Sequence, residues 1–199
     1  MTRWLWILLF VAFLGWWLSP PIHTARARAP GMLVAEAPDQ RDPTNAAPFQ
    51  DKDFSITPLA DFSLTARVLS RADYGFDRES SISPTDLALG WGRMSDSAVL
   101  AQLDISQSSR WYYYHWSTEA PPIPKDEIIR SSANMHMLPA DDTVRRELKL
   151  VRPGDVIHLE GQLIEARRSD GSVWRSSMTR DDSGDGACEV VYVRKLVVM

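Results

Sequence analysis

The densest chemistry in the chain is the run Arg110-Trp111-Tyr112-Tyr113-Tyr114-His115-Trp116. On a strand the side chains alternate, so Trp111, Tyr113 and His115 face one way and Tyr112, Tyr114 and Trp116 the other. Both faces cannot be buried unless partners are found for three phenol hydroxyls. Two readings follow. The run is a central strand packed on both sides, or one face is a stacking platform for sugar rings, a peptide or another protein, with the Arg110 guanidinium beside it. Single-stranded nucleic acid also stacks on aromatics, but it needs a positive groove. With 26 acidic residues against 22 basic ones and a net charge of −4, the composition argues against a nucleic-acid partner.

A second cluster lies in Arg130-Ser131-Ser132-Ala133-Asn134-Met135-His136-Met137, where Ser132, Asn134 and His136 share one face of an expected strand. A hydroxyl, an amide and an imidazole in line can hydrogen-bond a ligand. They also allow a hydrolase in which His136 is the base and Ser132 or Cys188 the nucleophile. A third distinctive stretch is Gly90-Trp91-Gly92-Arg93, in which a large ring stands between two glycines and either plugs the fold or lines a pocket mouth. The candidate groove drawn from these stretches is Trp91, Arg110, Trp111, Tyr113, Asn134 and His136. Asp181 to Gly186 resembles an oxygen-rich cation loop. Tyr192 stands where such a loop needs its closing glutamate, however, so a solvated hairpin turn is expected, with no metal and no cofactor. His115, His136 and His158 are too scattered to form a zinc site.

The elements that must position these residues begin with the N-terminus. After Arg3, the uncharged run of fifteen residues from Trp4 to Leu18 rises about 22 Å as a helix, against a hydrocarbon core of about 30 Å. Trp4, Trp6, Trp16 and Trp17 would occupy the two interfaces. Ala25, Ala27 and Ala29 offer signal-peptide cleavage patterns, but they lie far from the apolar run, so an uncleaved anchor over residues 1–19 is preferred. Residues 20–54, rich in Pro and acidic side chains, read as an extended linker. Residues 55–199 are long enough for one domain with its own core. The single cysteine, Cys188, rules out an internal disulfide framework for the chain.

Within the domain, residues 59–69 alternate as a strand. Ser83, Pro84 and Asp86 look like the capped start of a helix ending before Gly90 or Gly92. Residues 110–116 and 127–137 are expected as strands, and 141–150 as a helix capped by Asp141 or Asp142. Segments 156–166, 173–178 and 188–198 are expected to form a meander joined by Gly-containing turns. The fold class that follows is α+β: an antiparallel, strand-rich partial barrel with two short helices, preceded by one transmembrane helix.

The stretches Trp91 to Asp96, Ser132 to Pro139 and Gly186 to Glu189 resemble those of a family of bacterial proteins with one N-terminal membrane segment and one exported domain. The resemblance covers residues 60–194 or thereabouts. That family carries no assigned activity, so the resemblance implies envelope placement and no reaction. The expectation is a single-pass protein of the bacterial inner membrane with its C-terminal domain in the periplasm. It would act as a binding or assembly module for an envelope protein or glycan, with an envelope hydrolase as the alternative.

Overall fold

The computed structural model describes residues 6–7, 23–77 and 79–199. Apart from Trp6 and Ile7, the expected membrane segment lies outside the described residues. Among the described residues no helix is long and apolar enough to cross a membrane.

Asp39–Arg41 (β1) and Phe49–Asp51 (β2) are short strands lying antiparallel to the long Phe54–Asp73 (β3). In β3, Ile56, Phe62 and Leu64 alternate with half-buried polar residues, the pattern of a strand with one dry face. Its length lets it serve two neighbours. Thr85–Gly90 (β4) pairs with its last third, from Arg67 onward. Ser97–Leu100 (α1), the ribbon Asp104–Ser108 (β5) and Trp111–His115 (β6), and Lys125–Arg130 (α2) form an insertion before Ser132–Pro139 (β7). Asp142–Leu150 (α3) then leads to Val156–Arg168 (β8), Val173–Arg175 (β9) and Glu189–Val198 (β10).

Five of these strands close into a ring: β3 pairs with β4, β4 with β7, β7 with β10, β10 with β8, and β8 again with β3. All the pairs are antiparallel except β7 with β10. With α3 between the third and fourth strands of the ring, this is the connectivity of a Greek-key barrel of the OB type. The expected partial barrel is thus closed, which removes most of its sheet edge. Register shifts near Leu59 and Leu69 bend β3 so that it can turn the corner. Gly161 allows the close approach of β8 to β10, since a Cβ there would lie 2.1 Å from the Tyr192 carbonyl oxygen.

Several elements differ from expectation. The segment after Ser83 is a strand, β4, rather than a capped helix. All six of its residues are buried, because it runs between β3 and β7 in the ring, whereas a helix would need one solvated side. Residues 127–137 divide into the end of α2 and the start of β7; Pro124 together with Asp126 and Glu127 favours a helical first turn. The last three strands are not a meander, since β8 lies between β9 and β10. The α3 helix falls where its cap demands, with Asp141 accepting from the Thr143 and Val144 amides at 2.8 and 2.9 Å. It sends Val144 and Leu148 into the principal core alongside Leu87, Leu89, Ile157 and Leu159.

Residues 23–53, expected to hang free as a linker, form a strap on the barrel. The Arg26 amide donates to the Pro153 carbonyl at 2.7 Å, Arg26 Nε lies 2.8 Å from Asp155 Oδ1, and Arg28 Nε donates to the Gly154 carbonyl at 2.9 Å. Val34 is buried in the core, and β1 covers a part of β3 that β4 does not reach. Sparse apolar residues suffice here because the barrel supplies backbone and side-chain partners at intervals along the strap.

Candidate functional site

The aromatic run is not a barrel strand. It is one half of the β5–β6 ribbon, turned at Ser109 and Arg110 and seated on a small satellite core that includes Met94, Leu103, Ile123 and Ile128, with Tyr114 and Trp116 packed against it. Ser109 and Arg110 both have positive φ, 51° and 66°, as a two-residue hairpin turn of this hand requires. Neither is glycine. Such a conformation costs on the order of 1 kcal/mol per residue and persists only where the surroundings hold it.

Arg110 is held on every side. Its amide donates to Tyr74 Oη at 3.0 Å, and its Nε and Nη2 each donate to Asp77 at 2.8 Å. Nη1 reaches Asp86 Oδ1 at 3.1 Å, Nη2 reaches the Ser83 carbonyl at 3.1 Å, and the guanidinium carbon lies 4.2 Å from the Tyr74 ring centre. Asp86 is wholly buried on β4 and also faces His136 of β7, whose Nδ1 is 2.9 Å from the same Asp86 oxygen. The His136 ring lies 4.6 Å from that of Trp174 on β9. Asn134, one step along the same face of β7, donates to the Arg110 carbonyl at 2.9 Å and accepts from Gln107 Nε2 at 2.7 Å. Four of the six expected groove residues, Arg110, Trp111, Asn134 and His136, therefore stand together where the ribbon meets the barrel.

The other two lie apart. Trp91 is 3% exposed and belongs to the principal core, so it plugs the fold instead of lining a pocket mouth. Tyr113 is 41% exposed on the outer side of the ribbon, bordering a separate hollow with His115 and Lys125.

Two cavities flank Trp111. One, of about 300 Å³, is lined by Arg110, Trp111, His136, Trp174, Arg175 and the glycine-rich turn before Cys188. The other, of about 100 Å³, lies toward Tyr112, Ser132, Asn134, Arg180, Cys188 and Glu189. Trp111, Gly184 and Cys188 border both, so the two adjoin. Trp111 itself remains 38% exposed.

The electrostatics of the smaller cavity were not visible in the sequence. Glu189 is 1% exposed, and burial pushes its carboxyl up to about 8 even though Arg180 binds one of its oxygens. Arg180 is braced in turn by Gln40 of the strap, whose Oε1 accepts at 2.6 Å. Burial pushes the Cys188 thiol up to about 11, so it keeps its proton near neutral pH. The Tyr112 phenol is also raised by burial and donates to Ser132 Oγ at 3.3 Å, while Ser132 donates to the Ile128 carbonyl at 2.8 Å. In the acidic turn of residues 181–186, Asp182 accepts from the Ser177 hydroxyl at 2.6 Å. Among the described residues no cluster of three or more His, Cys, Asp or Glu is placed to hold a metal ion.

Asp77, Asp86, Trp174, Arg180 and Glu189 were missed as site residues. Asp86 reads in the sequence as part of a helix start, and Glu189 only as the end of the Gly186 to Glu189 stretch. Their roles arise from pairings across the ring that local sequence does not encode. No family model, no curated protein and no solved structure matches the chain.

Proposed function

We propose that this protein is a membrane-tethered binding or assembly module of the bacterial envelope, whose partner enters the cleft between the β5–β6 ribbon, β9 and the turn before Cys188. The observation that carries the reading is Trp111: a half-exposed indole bordering two adjoining cavities, next to a positive-φ turn fixed by Arg110 and the buried Asp86. Rigid aromatic anchors beside preorganised polar groups are what binding sites use, because little conformational entropy remains to be lost. In the bed of Asp86, Arg110, His136 and Asn134, Arg110 and Asn134 make their hydrogen bonds within the protein while, among the described residues, Asp86 Oδ2 and His136 Nδ1 are buried without one, and the bed serves to hold Trp111 and Trp174 in place. Partners of suitable chemistry are an envelope protein segment or a glycan that stacks on the indoles.

The hydrolase alternative has less support. The Cys188 thiol stays protonated, the Ser132 hydroxyl is committed to a backbone carbonyl, and His136 is 3% exposed beside Asp86.

The test is to replace Trp111 with a photo-reactive benzoylphenylalanine in the full-length protein, in its native membrane. Irradiation should yield a discrete adduct that the equally exposed position Val197 does not yield. The same adducts at both positions, or none at 111, would refute the reading. Placement has its own check, because a reporter fused after Met199 should be active only outside the cytoplasm.

A further inference from the structure

We propose that the end of the barrel carrying His23, Phe76 and Leu150 rests directly on an acidic phospholipid surface, so that the bilayer is a second docking partner of the folded domain. The inference rests on the reading of residues 1–19 as a membrane anchor and adds to it an orientation and a contact surface.

The first argument is one of reach. The chain is fastened to the barrel from His23 onward. The His23 imidazole lies 3.5 Å from Asp73 with its side chain 14% exposed, and Arg26 and Arg28 clamp the 153–155 turn. Five residue steps separate Leu18, the last of the apolar run, from His23, and a fully extended chain of that length spans at most about 18 Å. The headgroup layer on each side of a bilayer is about 5–7 Å deep. A barrel fastened this close to the span can stand at most about 11–13 Å beyond the headgroup layer, so the end where the chain enters is kept within reach of the headgroups.

The second argument is the character of that end. His23 borders a hollow with Tyr74, Arg145, Leu148 and Lys149, which places the β3–β4 connection and the C-terminal turn of α3 on either side of the entering chain. Two residues beyond Tyr74, Phe76 is fully exposed, and next to Lys149, Leu150 is 60% exposed. Among the described residues neither side chain belongs to a hydrophobic core cluster. Exposed cations lie next to Leu150 in the chain, at Arg146, Lys149 and Arg152, and of the acids at this end Asp73 is paired with Arg71, Asp77 with Arg110 and Asp142 with Arg145. Isolated exposed apolar side chains on an end that also carries long basic ones suit an interface where rings and aliphatic groups enter the acyl boundary and cations reach phosphate.

The test uses full-length protein in phosphatidylglycerol proteoliposomes, with Cys188→Ser so that a nitroxide attaches only at an introduced cysteine. Phe76→Cys and Leu150→Cys are compared with Ser169→Cys, an exposed site at the tip of the β8–β9 hairpin. That hairpin lies by the start of β3, at the opposite end of the strand from Asp73. Labels at 76 and 150 should collide several-fold less with a water-soluble nickel chelate than the label at 169, and more with oxygen. Equal nickel accessibility at all three positions, in a protein that resists alkaline carbonate extraction, would overturn the docking while leaving the anchor in place. Release by carbonate would overturn the anchor and the docking together.

Discussion

The barrel is treated differently in two regions. Under the strap, polar groups of the barrel and of the strap meet one another. Ser95 Oγ accepts from the Leu33 and Val34 amides at 3.0 Å each, Asp61 accepts from the Thr44 amide at 2.8 Å and from Gln162 at 2.9 Å, and Asp155 faces Arg26. Beside the β5–β6 ribbon, by contrast, Arg110 and the buried Asp86 hold a positive-φ turn, and the exposed Trp111 and half-buried Trp174 border open cavities. The strap spends its residues on covering surface, whereas the ribbon spends stability on keeping a surface uncovered. A region left open beside one closed by the chain itself is what the proposed binding role requires.

The largest effect should come from Asp86. Asp86→Ala removes the anion facing both Arg110 and His136, and urea unfolding should record a loss of about 3–5 kcal/mol. A loss below about 1 kcal/mol would mean that the ribbon does not depend on this buried pairing. Next is Gly154, whose φ of 87° and whose Cβ position, 2.1 Å from the Arg26 carbonyl oxygen, leave no room for a side chain. Gly154→Ala should cost about 1–3 kcal/mol and open residues 23–34 to proteolysis, with the cleft left intact. Loss of partner binding in that variant would erase the distinction between the two regions.

A pH profile sharpens the comparison further. Glu189 keeps its proton in the folded protein up to about pH 8, while an unfolded carboxyl releases it near the usual 4.5. Its contribution to stability is therefore full below about pH 4.5 and is lost as pH rises toward 8, because there the folded state binds more protons than the unfolded one. The thermal midpoint of the native protein should fall across this window, and that of Glu189→Gln should fall less. Parallel profiles would mean that the carboxyl is ionised in the fold. The smallest stability effect belongs to Trp111→Ala, within about 0.5 kcal/mol of the native value, as for a surface residue outside any core.

The sequence was most legible where local chemistry decides the outcome. The Asp141 cap and the alternation in β3 each act over a few residues. It was least legible where the ring decides. Ser83-Pro84-Thr85-Asp86 carries the signals of a helix start, yet burial between two strands overrides them. Residues 23–53 lack a hydrophobic pattern and are ordered by partners on the barrel. Among the site residues, Arg110, Trp111, Asn134 and His136 were recognisable from composition and alternation. Trp91 was not separable from them, because a glycine-flanked indole suits a core plug and a pocket rim equally well. Asp86 and Glu189 needed the cross-ring partners to reveal what they face.

The most direct measurement is quantitative mass spectrometry of what co-purifies with the full-length protein from its native membrane in mild detergent, comparing native protein with Trp111→Ala after both show the same unfolding curve. The cleft account predicts a stoichiometric envelope protein or glycan with the native chain that falls at least about tenfold with the variant, the equivalent of about 1.4 kcal/mol of binding. The same companion retained by both, or none with either, would contradict it.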